Sequence, residues 1–189
     1  MTVEGSVVRA GDGNEKLAKA TFAGGCFWCT EAVYAEIKGV KSVTSGYIGG
    51  TVPNPTYEQV CGKKTGHAEA VEIEYDPAQV SYEQLLEVFF ATHDPTTKNQ
   101  QGADVGPQYR SAVFYHDADQ KRIAEDVIRR LGDAFKGPIV TEVVEATTFY
   151  PAEGYHQDYF AKNPSDRYCN AVAAPKVEKV RKVFKDLVK

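Results

Sequence analysis

A cysteine stands where a predicted strand gives way to a predicted helix. The segment GGCFWC places Cys26 directly after Gly24-Gly25 and in the first turn of the helix. Free backbone N–H groups and the positive end of the helix dipole stabilise an anion there, and a lowered pKa makes a cysteine nucleophilic near neutral pH. We therefore predict a reactive thiol at Cys26. The alternative, a small buried hydrophobic residue, fits poorly with the flanking Gly-Gly and Phe27-Trp28.

Cys26 and Cys29 form a CxxC pair. This spacing brings both sulfurs to one face of the helix, close enough for a disulfide. A zinc site is the alternative, but Cys61 and Cys169 are isolated and the sequence has no second CxxC or His pair at ligand spacing. Trp28, the only Trp, either packs in the core or lines an apolar pocket beside Cys26.

The elements that position these cysteines follow from apolar periodicity. Strands are predicted at 17–23, 40–48, 70–75, 111–115 and 139–145, and helices at 26–37, from Ser81 onward, at 117–135 and at 177–188. The order strand, helix, strand, strand, helix, strand is that of the split βαβ arrangement. We predict an α+β fold with a ferredoxin-like βαββαβ two-layer sandwich core, a mainly antiparallel sheet, additional helices and long active-site loops.

One domain is expected over 1–189, with a loose N-terminal lead-in at 1–16. Three segments, 51–67, 93–108 and 147–175, show no apolar periodicity and are predicted to be long loops. Loops longer than about 12 residues are usually functional or disordered. These contain aromatic, His or Cys residues at a density that a disordered linker lacks, so we expect the chemistry there; Cys169 lies in the third.

The composition excludes several classes of protein. The 189 residues include 22 Lys and Arg against 26 Asp and Glu, a net charge of −4, and 42% are hydrophobic, as in a soluble globular protein. The slight acidic excess offers no cationic footprint for nucleic acid. No apolar run approaches the ~18 residues of a membrane span, and the N-terminus lacks the features of a secretory signal. We expect a cytoplasmic protein without a nucleic-acid or membrane partner.

Four motifs carry a resemblance to a known family: GGCFWC, TYEQVCGKKTGHAE, QGADVGPQYRS and FYPAEGYHQDYF. In these motifs, and in their order, the chain resembles the A-type peptide methionine sulfoxide reductases from about Leu17 to about Lys182. The resemblance implies reduction of methionine S-sulfoxide, free or in oxidised proteins, as a repair reaction. It implies no metal or organic cofactor and thioredoxin as the reductant. We expect a monomer.

The resemblance also implies the catalytic residues. Cys26 would attack the sulfoxide sulfur. The sulfoxide oxygen must gain protons as it leaves, so an acid and hydrogen-bond donors should surround it. Glu69 is the implied acid, and Tyr57 and Tyr109 are the implied phenolic donors.

Further residues of the motifs would support these groups. Apolar contact with Phe27 and Trp28 would raise the pKa of Glu69, and the same rings would receive the substrate's S-methyl group. Asp104 would orient the donors, and His156 would complete the hydrogen-bond network. His67 is expected to brace the turn before Glu69.

Sulfoxide reduction leaves a sulfenic acid on Cys26, which a second thiol converts to a disulfide. We favour Cys169 slightly as this resolving thiol, keep Cys29 as the rival, and interpret Cys61 as structural or as a relay. Two other functions stay open: a general thiol-disulfide oxidoreductase using Cys26 and Cys29, and a zinc-binding interaction domain.

Overall fold

A computed structural model describes residues 16–189, so the predicted lead-in at 1–16 lies outside the described residues except for Lys16. The strands are β1 (Ala18–Gly24), β2 (Val40–Ile48), β3 (Ala68–Tyr75), β4 (Gln100–Gln101), β5 (Asp104–Val105), β6 (Ser111–Tyr115), β7 (Glu142–Glu145) and β8 (Tyr150–Pro151). The helices are α1 (Phe27–Ala35), α2 (Tyr57–Cys61), α3 (Tyr82–Thr92), α4 (Ala118–Leu131), α5 (Tyr159–Lys162) and α6 (Ala174–Val183). Within 16–189, no helix is long and apolar enough to cross a membrane.

One mixed sheet forms the centre of the molecule. Its strand order is β7-β6-β1-β3-β2-β8, and every neighbouring pair is antiparallel except β6 with β7. Strands β4 and β5 form a separate two-stranded hairpin. Sheet and helices together confirm the predicted α+β class.

The helices begin where their capping residues predict. Ser81 and Gln84 form the expected capping box at the start of α3, and Asp117 caps α4 through Gln120. These side chains satisfy backbone N–H groups that have no partner inside the helix. Helix α1 is different, because nearly all of its residues are buried and no side chain caps it. Its N-terminal N–H groups are therefore available to side chains of the site.

The core lies between the sheet and helices α1 and α3. Phe22 of β1 stacks on Phe89 of α3 with ring centroids 5.1 Å apart, and the buried Tyr34 of α1 donates its hydroxyl to the Leu85 carbonyl at 2.8 Å. These contacts join α3 to both β1 and α1. The turn from β1 into α1 needs glycine, because Gly25 has φ +98° and a Cβ there would meet the Gln101 side chain at 2.7 Å.

The three predicted loops are more structured than the sequence suggests. Helix α2 lies within 51–67, the β4–β5 hairpin within 93–108, and β8, α5 and a π-helical turn at Cys169–Ala173 within 147–175. Each element is too short to produce a periodic pattern. The fifth predicted strand shortens to β7, and the predicted helix at 177–188 begins earlier, at Ala174, and ends at Val183 before a 3₁₀ turn at Lys185–Leu187.

A side chain completes one edge of the sheet. Strand β8 pairs with β2 only at Gly46 and Tyr47. Beyond that point the Gln157 side chain takes over, accepting from the Ser45 N–H and donating to the Ser45 carbonyl, both at 2.9 Å. The segment after β8 is thereby held against the sheet.

Candidate active site

Cys26 occupies the N-cap position of α1. The Cys29 N–H donates to the Cys26 carbonyl at 3.1 Å, and this first turn packs the two thiols into one cluster, where each acts on the pKa of the other. Both side chains are buried, with Cys26 9% exposed and Cys29 1% exposed. All four cysteines are free thiols. The CxxC spacing therefore produces the predicted proximity.

The lowered pKa that the sequence predicts for Cys26 belongs instead to Cys29. The hydrogen bond with Cys29, burial and the neighbouring Glu69 raise the pKa of Cys26, although the Trp28 backbone N–H acts to lower it. The helix N-terminus thus has the expected effect but is outweighed, and the expectation of a lowered pKa at Cys26 is wrong. The hydrogen bond from Cys26 and the charge of Lys176 lower the pKa of Cys29 despite its burial.

Glu69 lies on β3, directly beside the start of α1. Its Oε1 accepts from the Phe27 N–H at 3.2 Å, while Oε2 is buried without a hydrogen-bond partner among the described residues. Burial raises the pKa of Glu69 to about 8, with smaller contributions from Asp104 and Cys29. The carboxyl is therefore protonated at neutral pH, as an acid in this position must be.

Two phenols lie near this carboxyl. Burial raises the pKa of Tyr57, and burial together with the charge of Glu69 raises the pKa of Tyr109. The two tyrosines also interact electrostatically with each other, and Tyr109 interacts with Cys26. Both hydroxyls consequently keep their protons and are available as donors next to Cys26 and Glu69.

Aromatic rings enclose the start of α1. Trp28 stacks on Tyr159 with centroids 3.7 Å apart and donates its Nε1–H to His156 Nδ1 at 3.0 Å. The His156 ring also contacts Phe27 at 5.1 Å and Tyr57 at 4.4 Å. Since Nδ1 accepts and burial lowers the pKa of His156, the ring is neutral with its proton on Nε2.

Asp104 approaches from the β4–β5 hairpin. It accepts a short hydrogen bond from the Tyr168 hydroxyl, and that hydroxyl lies 4.0 Å from Cys29 Sγ. Asp104 thus reaches the cysteine pair through Tyr168. It also acts electrostatically on Glu69 and Tyr109, which agrees with a supporting position beside the predicted donors.

The π-helical turn brings Cys169 to the same place. Cys169 is fully buried and packs in one apolar cluster with Cys26, Cys29 and Ala173. Its N–H donates to Asp166 Oδ1 at 2.9 Å, and burial raises the pKa of Cys169 to about 12. The structure thus gathers three of the four cysteines into one cluster.

The remaining predicted residues, Cys61 and His67, lie at the margin of the candidate site. Cys61, at the end of α2, is partly exposed and contributes to the raised pKa of Tyr57. The His67 ring accepts from the Gly50 N–H at 3.0 Å and bonds to the Val52 carbonyl at 2.7 Å, so it braces the turn after β2 rather than the predicted turn before Glu69. Among residues 16–189, no group of three or more His, Cys, Asp or Glu side chains is arranged to hold a metal ion.

Sequence reasoning missed two carboxylates that hold the site together. Glu153 accepts from the Tyr47 hydroxyl at 3.0 Å and the Tyr57 N–H at 3.1 Å. Glu31 is buried in α1 and accepts from the Asp158 N–H at 2.9 Å. Glu153 lies inside the motif FYPAEGYHQDYF, and that position could have identified it as a residue of the site. No sequence pattern singles out Glu31.

The chain matches known proteins over nearly its whole described length. A family model described as peptide methionine sulfoxide reductase matches residues 18–188. "Peptide methionine sulfoxide reductase MsrA 1" of Rhodopirellula baltica is 58% identical over 90% of this chain and 88% of that protein. The corresponding MsrA of Thermus thermophilus is 56% identical over 90% of this chain and 97% of that protein.

Solved structures give the same result. Mxr1 from Saccharomyces cerevisiae in reduced form is similar with a TM-score of 0.75 and 34% identity, covering 81% of this chain and 89% of that one. Mxr1 in complex with Trx2 is similar with a TM-score of 0.54 and 22% identity over 80% of this chain and 91% of that one. The second comparison is a likeness of fold alone.

Proposed function

The chain belongs to the peptide methionine sulfoxide reductase family and is an oxidoreductase that reduces methionine sulfoxide. We propose that Cys26 is the nucleophile and that Glu69 is the acid. We also propose that the substrate is methionine S-sulfoxide, free or in proteins. The observation that carries the assignment of residues is the buried Glu69 carboxyl, with a pKa of about 8, lying against the start of α1 beside a contacting thiol pair.

The first step transfers oxygen. Cys26 is a thiol at rest because its pKa is raised. It gives up its proton and attacks the sulfoxide sulfur as a thiolate, and Glu69 supplies a proton to the oxygen as the S–O bond breaks. At neutral pH Glu69 is uncharged, so its opposition to a Cys26 thiolate is absent at the moment of attack. The oxygen leaves the substrate as hydroxide and adds to the Cys26 sulfur, and the new S–S bond breaks. The substrate takes the two electrons of that bond and departs as a thioether, and Cys26 ends as a sulfenic acid.

The surrounding groups would bind the sulfoxide. Tyr57 and Tyr109 keep their protons and would donate to the developing negative oxygen. Phe27 and Trp28 would receive the S-methyl group, with Trp28 held by its stack on Tyr159 and its bond to His156. Asp104, which accepts from Tyr168, would orient this network.

The second step forms a disulfide. The contact between the Cys26 and Cys29 thiols changes the preference reached from sequence, because Cys29 is already beside the sulfenic sulfur. We propose that the Cys29 thiol attacks it, releasing water and leaving a Cys26–Cys29 disulfide. Cys169, packed in the same cluster, would then attack the Cys29 sulfur, which forms a Cys29–Cys169 disulfide and releases the Cys26 thiol.

An external dithiol must reduce the final disulfide. Mxr1, whose reduced form is 34% identical to this chain, has been solved in a complex with Trx2. We therefore propose thioredoxin as the reductant here. The ferredoxin-like core also belongs to the proposal, supported by the antiparallel order β6-β1-β3-β2. One domain over 1–189, the cytoplasmic location and the monomeric state stay predictions.

A thiol count after one turnover tests the mechanism. Reduced enzyme receives one equivalent of methionine S-sulfoxide, and free thiols and methionine are measured together. We expect two thiols to disappear per methionine formed, no turnover in Cys26→Ser, and no Cys26 disulfide of either kind in a Cys29→Ser, Cys169→Ser double variant. Cys61→Ser is the matched control and should behave like the parent.

Each assignment can fail separately. Activity of Cys26→Ser with dithiothreitol as reductant would exclude Cys26 as the nucleophile. Full disulfide formation in Cys29→Ser alone would instead assign the resolving role to Cys169. Faster reduction of insulin disulfides than of methionine sulfoxide would favour a general thiol-disulfide oxidoreductase. Equal consumption of the two sulfoxide epimers would remove the proposed preference for the S form.

A further inference from the structure

Helix α6 places a lysine beside Cys29, at a cavity that neither Glu69 nor a tyrosine of the described residues lines. Lys176 and Cys29 line the same small internal cavity, together with Thr30 and Val33 of α1, and Phe89 and His93 at the end of α3. The cavity is nearly filled by its walls, with room for about one water molecule (about 10 Å³). Lys176 is half-buried and lines both this cavity and an open surface pocket.

Lys176 carries the only positive charge among the described residues that line this cavity. His93 is neutral, because burial lowers its pKa to about 4. Its two ring nitrogens are engaged by the Phe89 carbonyl and the Ser111 hydroxyl. No carboxylate among residues 16–189 forms an ion pair with Lys176. Its charge is thus available to a neighbouring anion.

We propose that Lys176 is a positioning residue for the resolving step: its ammonium group is the counter-charge that holds Cys29 as a thiolate and so makes it a nucleophile toward the Cys26 sulfenic acid. This inference rests on the proposed resolving role of Cys29. It gives the two cysteines of the CxxC pair different electrostatic environments, with Cys26 facing Glu69 and Cys29 facing Lys176.

Other influences also act on the pKa of Cys29, and the hydrogen bond from Cys26 lowers it more than the Lys176 charge does. After the hydrogen bond from Cys26, the Lys176 charge is the largest influence lowering the pKa of Cys29; the Tyr168 hydroxyl adds to it, and the Asp104 carboxylate and burial oppose it. Glu69 is protonated at neutral pH and Cys169, with a pKa of about 12, is a neutral thiol. No other cation therefore replaces Lys176 within this part of the described structure.

A Cys29 thiolate favours two steps of the proposed cycle, the attack on the sulfenic acid and the reopening of the disulfide. A thiolate attacks a sulfenic acid, whereas a thiol does so poorly. The attack joins the two sulfurs, and hydroxide leaves from Cys26 and takes up a proton to become water. When the disulfide is later reopened, a stabilised Cys29 thiolate is also the better leaving group.

The direct test titrates Cys29 alone. In full-length protein with Cys26, Cys61 and Cys169 replaced by Ser, the thiolate absorbance in the ultraviolet is followed against pH. We expect Lys176→Met to move the midpoint up by about one pH unit, roughly a tenfold loss of thiolate near neutral pH. Lys176→Arg should restore the midpoint. Lys179→Met, which removes an exposed lysine one turn along α6, should leave it unchanged.

A second measurement uses the enzyme with all its cysteines. The rate of thiol loss after one equivalent of methionine sulfoxide is recorded against pH, and its midpoint should shift upward in Lys176→Met but not in Lys179→Met. Equal midpoints for the two variants in both measurements would overturn the proposal. Disulfide formation in Cys29→Ser would instead refute the resolving role of Cys29, and the titration would still report separately on Lys176.

Discussion

Replacing Glu69 by Gln should stabilise the fold while removing the acid, and the stabilisation should grow with pH. The folded protein retains the Glu69 proton up to a pKa of about 8, whereas the ordinary value is 4.5. Between these values unfolding releases a proton, so the parent loses stability as pH rises. Across the 2.5 units from 4.5 to pH 7 the loss is about 3 kcal/mol, and above pH 8 it reaches about 5 kcal/mol. The amide in the Glu69→Gln variant has no proton to release, so that variant escapes the loss.

The assay is urea unfolding of parent and Glu69→Gln at several pH values, each reported as the free energy of unfolding. All other titrating groups are common to both proteins, so the difference between them isolates Glu69. Glu125→Gln, at an exposed position on α4, is the matched control and should show a constant difference. Activity of Glu69→Gln should fall by about 10²-fold or more. A pH-independent difference in unfolding free energy would refute a protonated, buried Glu69.

Three further changes probe the site and its support. Tyr57→Phe and Tyr109→Phe should each lower the rate of methionine formation in a single turnover by up to about a hundredfold; parental rates in both would remove the phenols from the mechanism. Gly46→Ala should destabilise the fold by about 2 kcal/mol or more, because the new Cβ would lie 2.5 Å from the Tyr150 carbonyl oxygen; thermal unfolding measures this, and an unchanged midpoint would contradict it. Cys61→Ser should change the unfolding free energy by less than about 1 kcal/mol, with a larger loss indicating a structural role for the thiol.

The sequence predicts the central strands well where apolar residues alternate with polar ones, as in β3, or follow one another, as in β6. Strands β2 and β6 have the predicted bounds, and the capping box locates the start of α3. The short elements within the three loops could not be predicted, since two to five residues carry no periodic signal. They form only because the surrounding structure supplies partners, as β2 does for β8.

The predicted site residues converge because motifs far apart in the chain meet at one helix N-terminus. What the sequence could not supply is the balance of charge and burial at Cys26. The helix N-terminus argues for a lowered pKa, and only the folded arrangement reveals the thiol contact and the buried Glu69 that reverse it. The same holds for Lys176, which is distant from Cys29 in sequence and reaches it only through the packing of α6 beside α1.

The Gln157 amide that pairs with Ser45 also occupies backbone groups that an open edge strand would offer to another copy of the chain. An uncovered edge strand can recruit a strand from another copy, and here the β2 edge is occupied first by β8 and then by this side chain. The residue beside it, His156, bonds Trp28 in the candidate site. Resistance to aggregation and a correctly assembled site thus depend on the same short segment of chain, and a change that releases Gln157 should weaken both together.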